Sequence, residues 1–269
     1  MLKSLLSSAA AALLLGSSAI ASSGDFSLDP AEFELLPGWR TPDGTHMTAL
    51  RIRLAPGWKT YWRAPGDTGI PPRFNWKGSE NLAAVAFHWP TPGVFYQNGL
   101  RTVGYKDELI LPIELTPSRP GRPIALRANV EVGICQDICV PMSVRVSADL
   151  GQNTAPDARI SAAIADQPAP ARQAGLRSVT CGVEPIADGL RLTARIDMPR
   201  LGGDEIAVFE LSDQTIWISE AMAKRQGGTL TATSEMVAPS NMPFLLDRSD
   251  LRITVIGAGQ AVDIAGCKG

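Results

Sequence analysis

Charge of either sign is scarce in this chain of 269 residues: 19% are Asp, Glu, Lys or Arg, and the net charge is −2. No basic field can form from that composition, so nucleic acid is not an expected partner. Histidine is rarer still. His46 and His88 are the only two. Neither stands at a metal-ligand spacing from other donors, and both read as ordinary surface or partly buried residues. Apolar runs long enough to cross a bilayer are missing throughout. Cysteine is nearly absent, and that makes the four present (135, 139, 181 and 267) informative.

What is there begins with a targeting signal. Lys3 supplies a positive start, residues 5–15 form a short apolar stretch, and Ala19-Ile20-Ala21 is a small-x-small cleavage site. Residues 1–21 are therefore predicted to be a signal peptide, with Ser22 first in the mature chain. A lipoprotein would carry cysteine at the cleavage point, and none stands there. The mature chain is expected to be exported without membrane insertion, into a compartment where disulfides persist.

Glycine (25) and proline (21) are plentiful, and they punctuate many short runs of period two. Leu50, Ile52 and Leu54 alternate with Arg51 and Arg53. Leu109, Leu111, Ile113 and Leu115 repeat the pattern, as do Ile124 to Val132 and Val144 to Leu150. A period of two with a polar outer face is the pattern of antiparallel sheets with one buried side, and a β-sandwich buries many such strands at once. Residues 151–175 differ, being rich in Ala, Gln and Pro, with a short helix predicted over 157–165 before Pro168 and Pro170. Beyond them, Leu190 to Asp197 and Leu251 to Val255 alternate again, and Gly227-Gly228 marks a hairpin turn. The reading is an all-β chain of two sandwich domains, 22–150 and 176–269, joined by a partly helical linker over 151–175.

The cysteines divide into a close pair and a distant pair. Closing the loop of about 87 residues between Cys181 and Cys267 is worth roughly 4.6 kcal/mol in the chain-entropy model, against roughly 2 for the five residues from Cys135 to Cys139. The distant pair reads as a structural disulfide. In an extended strand the close pair would lie about 13 Å apart, so it can bond only across a tight turn at Gln136-Asp137-Ile138. That spacing also fits a structural clip, two quiet thiols or, less well, part of a metal site. The charged neighbours in sequence, Glu131 and Asp137, are acidic, and acidic neighbours raise a thiol rather than activate it. Such a pair is expected to react slowly with random thiols and to need a partner.

The string Val132-Gly133-Ile134-Cys135-Gln136-Asp137-Ile138-Cys139-Val140-Pro141 resembles the active-site turn of the N-terminal periplasmic domain of the thiol:disulfide interchange protein DsbD, and more closely its ScsB-like and stand-alone relatives. Gly57-Trp58-Lys59-Thr60-Tyr61-Trp62 resembles the family's aromatic strand. Residues 105–113 (YKDELILPI) resemble the strand before the active hairpin. The resemblance covers about 35–150. It implies an immunoglobulin-like fold and a periplasmic redox enzyme or electron relay that needs no cofactor. By position, Cys139 would attack client disulfides and Cys135 would resolve the mixed disulfide. Phe95 or Tyr96 would supply an aromatic cap, and Tyr61 would pack beside the site. The equally available reading of these aromatics is ordinary sandwich core. Two departures stand out. The cysteines are closer in sequence than in the best-known members, and the 269 residues hold neither a membrane electron importer of the DsbD/CcdA type nor a thioredoxin-like domain. Both functions are then expected from partners. The rival reading is a non-catalytic binding, chaperone-like or copper-handling module whose disulfides only stabilise it.

Overall fold

A computed structural model describes residues 29–269 apart from Thr68 and Asn98. The predicted signal peptide lies outside the described residues. The chain runs β1 (Ala31–Arg40), β2 (His46–Leu54), β3 (Lys59–Tyr61), β4 (Arg73–Asn75), β5 (Leu82–Phe87), β6 (Gly93–Gln97), β7 (Leu100–Lys106), β8 (Glu108–Pro117), β9 (Ile124–Cys135) and β10 (Cys139–Leu150). Helix α1 (Ala158–Ala165) follows. Then come β11 (Ala169–Pro170), β12 (Ser178–Ile186), β13 (Gly189–Asp197), β14 (Ile206–Glu210), β15 (Trp217–Ile218), β16 (Met222–Gln226), β17 (Thr229–Val237), β18 (Arg252–Gly257) and β19 (Gln260–Ala265). The fold is all-β and immunoglobulin-like.

Four sheets form. The first two have the orders β1-β2-β8-β5 and β10-β9-β3-β7-β6, with β4 also paired to β9. The other two have the orders β11-β19-β18-β14 and β12-β13-β17-β15, with β16 on β17. The alternating residues fill the spaces between sheets as their period requires. Leu50, Ile52, Leu111, Ile113, Leu126 and Ile134 meet in one apolar core, and Leu192, Ile196, Leu230, Ile253 and Ile264 meet in a second. Ile206, Ile256 and Ala261 belong by sequence to the later strands yet pack into the first core. The halves therefore share apolar contact.

The helix expected after residue 150 is present. Asp157 caps it by accepting from the Arg159 backbone N–H. It is no free spacer. Its Ile160 is buried against Leu36, Met47 and Ala49, which explains why β2 loses its alternation at its start, where His46 to Ala49 are all buried. Residues 169–170 then join β19 in parallel. The segment read as a linker is thus packed at both ends.

Candidate redox site

Strands β9 and β10 form a long antiparallel hairpin whose last pair is Cys135 opposite Cys139. The Gln136 N–H donates to the Ile138 carbonyl at 3.1 Å, closing the tight turn that the spacing demands. The two cysteines are disulfide-bonded, with Cα atoms 4.1 Å apart. Their surroundings differ. Cys135 is 1% exposed, Cys139 is exposed, and Ile138 between them is 70% exposed.

Tyr61 is 2% exposed, and its hydroxyl lies 2.9 Å from Cys135 Sγ and 3.1 Å from Cys139 Sγ. A disulfide sulfur carries no proton, so the tyrosine is the donor, its single O–H shared between the two sulfurs. Glycines let the ring reach that far. Tyr61 pairs with Gly104, and Gly104 with Gly93. On the other side, a Cβ on Gly133 would stand 2.9 Å from the Tyr61 ring and 2.8 Å from Ile70 Cβ. This glycine trough on the outer face of the sheet takes two rings, Tyr61 over Gly133 and Phe95 over Gly93, where a Cβ would meet the Phe95 ring at 2.7 Å. Glycine inside a strand often marks such a close approach.

The two cap candidates part company. Side chains alternate along a strand, so Phe95 shares the outer face with Tyr61, Lys59 and Cys135, three strands from the disulfide in sheet order. The Lys106 ammonium sits 4.5 Å over its ring. Tyr96 points to the other face and is 64% exposed. The hydrogen bond from this hairpin to the cysteine turn, among the described residues, comes from Gln97, a residue the sequence reading passed over. Its Nε2 donates to Asp137 Oδ1 at 3.2 Å, and its Oε1 accepts from Lys59 Nζ at 2.8 Å.

Lys59 corrects the expected electrostatics. The sequence near the cysteines offers only acidic groups, but Lys59 is the cross-strand partner of Cys135, and Lys106 is the partner of Lys59. Lys59 is 7% exposed. Burial, then the repulsion of Lys106, holds its ammonium below the ordinary lysine value, while Asp137 opposes both. Strand pairing brings a cation to the turn that local sequence could not reveal. Burial pushes the Tyr61 phenol upward, so its hydroxyl stays protonated, and a donor, at neutral pH.

The second disulfide joins Cys181 of β12 to Cys267, just beyond β19, with Cα atoms 5.8 Å apart. His46 is buried, and its Nε2 donates to the Pro37 carbonyl at 2.7 Å. His88 Nε2 lies 3.1 Å from Glu114 Oε2. Among the described residues, no three His, Cys, Asp or Glu side chains are grouped to hold a metal ion.

Residues 32–150, which contain this turn, match the family model of the thiol:disulfide interchange protein DsbD, N-terminal. These residues are a DsbD N-terminal-like domain. No protein of curated function matches the chain. Among solved structures, the N-terminal periplasmic domain of ScsB from Proteus mirabilis is 23% identical, with a TM-score of 0.67, covering 90% of this chain and 95% of that one. That likeness establishes the fold and extends past the DsbD-like domain to the later sheets. A marsupial T cell receptor chain also aligns, at 10% identity and a TM-score of 0.19, and carries no argument.

Proposed function

We propose that Cys135 and Cys139 are the redox centre of a periplasmic thiol–disulfide exchange module. The observation that carries this reading is the asymmetry of the turn: Cys135 is buried, Cys139 is an exposed residue, and one phenol O–H lies within hydrogen-bond reach of both sulfurs. The match of residues 32–150 to the model of the thiol:disulfide interchange protein DsbD, N-terminal, supports it. No helix among the described residues is long and apolar enough to cross a membrane.

In the reduced state the exposed Cys139 thiolate attacks one sulfur of a client disulfide. That S–S bond breaks, the departing client sulfur takes up a proton, and Cys139 is joined to the client. Cys135 then loses its proton and attacks Cys139 Sγ. The second client thiol leaves, and the Cys135–Cys139 disulfide forms. Two electrons pass to the client. A donor dithiol, from a thioredoxin-like protein or a membrane importer of the DsbD/CcdA type, returns the pair to the reduced state. Tyr61 donates to the thiolate as it donates to the disulfide, and Lys59 contributes positive charge beside it; both favour the anion. The Gln97 bridge to Asp137 fastens the β6–β7 hairpin to the turn, with the Phe95 ring on the same face.

The test is the reduction potential of the pair, from equilibration with glutathione or dithiothreitol buffers and trapping of free thiols. A value of about −180 to −270 mV, the range of exchange proteins, is expected. A value below about −300 mV marks a structural clip and overturns the reading in favour of a non-catalytic module. Exchange with a thioredoxin-like protein that persists unchanged in Cys139→Ser overturns the assignment of the attacking sulfur.

A further inference from the structure

Strand β3 ends at Tyr61, and the chain leaves the edge of β9 there, to return to the same strand at Arg73. The residues that follow Tyr61 are fastened from outside the DsbD-like domain. The Arg63 guanidinium makes a two-pronged contact with the Glu210 carboxylate at the end of β14, Nε to Oε1 at 2.8 Å and Nη2 to Oε2 at 3.0 Å. Both side chains are more than four-fifths buried, and the guanidinium also lies 4.1 Å over the Trp62 ring. Gly66 rests against Glu220: a Cβ there would meet Glu220 Oε1 at 3.2 Å. Glu220 in turn pairs with Arg101 of β7 at 3.4 Å, and Arg101 donates to the Ala221 carbonyl. On its inner side the same stretch holds the tyrosine. A Cβ on Gly69 would meet Pro65 on one side and Tyr61 Cδ1 at 3.1 Å on the other, and Ile70 covers Gly133 beside the ring.

From this we infer that Glu210 and Glu220 are positioning residues for the redox pair, so that the strands after residue 176 complete the site rather than merely accompany it. A forked, partly buried Arg–carboxylate pair fixes orientation as well as distance. Here it fixes the backbone two residues beyond Tyr61, while Glu220 seats the next turn. Together they hold the phenol over Gly133 and within hydrogen-bond reach of both sulfurs. The inference rests on the proposed chemistry only in its meaning for clients, because attack of a thiolate on a small disulfide is measurable whatever the pair does in the cell.

The test uses the mature chain, reduced at Cys135/Cys139 with Cys181–Cys267 still oxidised, and oxidised glutathione as the probe. Cys139 attacks glutathione disulfide and releases one glutathione; Cys135 displaces the second, and the protein disulfide re-forms. Glu210→Gln and Glu220→Gln are expected to slow the first step about threefold or more at neutral pH, and Glu210→Asp to recover part of the loss. In a Tyr61→Phe background neither substitution should slow it further, because a residue acting through Tyr61 has no additional effect once its hydroxyl is gone. An unchanged rate in both variants overturns the inference. So does a loss that persists in full in Tyr61→Phe, or one accompanied by exposure of Cys181–Cys267 to reductant, the sign of general loosening. Failure here leaves the reduction potential of the pair, and hence the redox reading, untouched.

Discussion

Cys181–Cys267 and Cys135–Cys139 sit in opposite surroundings. Around the first, backbone is tied to backbone: the Cys181 N–H donates to the Lys268 carbonyl at 2.7 Å, Lys268 donates to Val179, and Cys267 donates to Arg248. Its sulfurs pack into the second apolar core, and it joins chain segments far apart in sequence. The second bridges adjacent ends of one hairpin that strand pairing already holds together. Its partners are side chains, Tyr61 on both sulfurs and Gln97 on Asp137. One bond constrains the unfolded chain; the other lies where a thiol can reach it.

The largest expected effect separates the two by substitution. Cys181→Ser/Cys267→Ser should cost about 3–5 kcal/mol of stability in urea denaturation, while exchange through the other pair at 25 °C stays at the wild-type rate. Cys135→Ser/Cys139→Ser should cost about 2 kcal/mol or less and abolish exchange. A larger stability loss from the close pair than from the distant one would collapse the distinction.

How much of this was legible in the sequence depended on distance along the chain. The period-two runs of β8, β9, β13 and the second half of β2 were readable because alternation is a local property of a half-buried strand, whereas β18 is buried on both faces from Ile253 to Gly257, a burial its alternating apolar residues did not announce. So was the turn at 136–138, since four residues of extended chain cannot bring two Cα atoms within bonding distance. Helix α1 was announced by Asp157 and stopped by proline. Lys59 was not legible as a neighbour of Cys135, because only the order β10-β9-β3-β7-β6 puts it there. Gln97 escaped notice because the sequence directs attention to the aromatics beside it. Gly104 and Gly133, inside otherwise alternating strands, were the one unused signal: each interrupts a run of side chains where another group comes close. The contact of Arg63 with Glu210 joins distant parts of the chain and left no local trace.

A smaller effect probes the side-chain half of the contrast alone. Tyr61→Phe keeps the ring in the glycine trough and removes the donor. A hydrogen bond to a charged group is worth about 1.5–3 kcal/mol, and the thiolate that loses it is more nucleophilic, which offsets roughly half of the effect. Exchange by the reduced protein at neutral pH should therefore fall about three- to tenfold, and raising the pH should recover the loss by supplying thiolate directly. The Cys181–Cys267 bond should resist reductant as before. A rate that falls equally at all pH values would mean that the hydroxyl does something other than favour the anion.

The smallest expected effect is a pH dependence confined to the half that holds the redox turn. Both histidines lie before residue 150, and none follows. His46 is held below the ordinary histidine value, chiefly by burial, with Arg40 adding to the effect and the Pro37 carbonyl opposing it. Its folded form therefore resists a proton that the unfolded chain accepts freely. The sign follows from linkage: above the unfolded value of about 6.5 the residue is neutral in both states and has no effect, and as pH falls below that value the unfolded state gains protons first and stability drops, until the folded form is protonated too. Calorimetry at pH 7.5 and 5.5 should show the melting temperature of the wild type falling by more than that of His46→Gln. Hydrogen exchange should place the added opening at β1, β2 and α1, where His46, Leu36 and Ile160 pack, with β12, β13 and β17 unchanged. Loss spread evenly over both halves would show instead that their shared apolar contact through Ile206 and Ile256 makes them open as one unit.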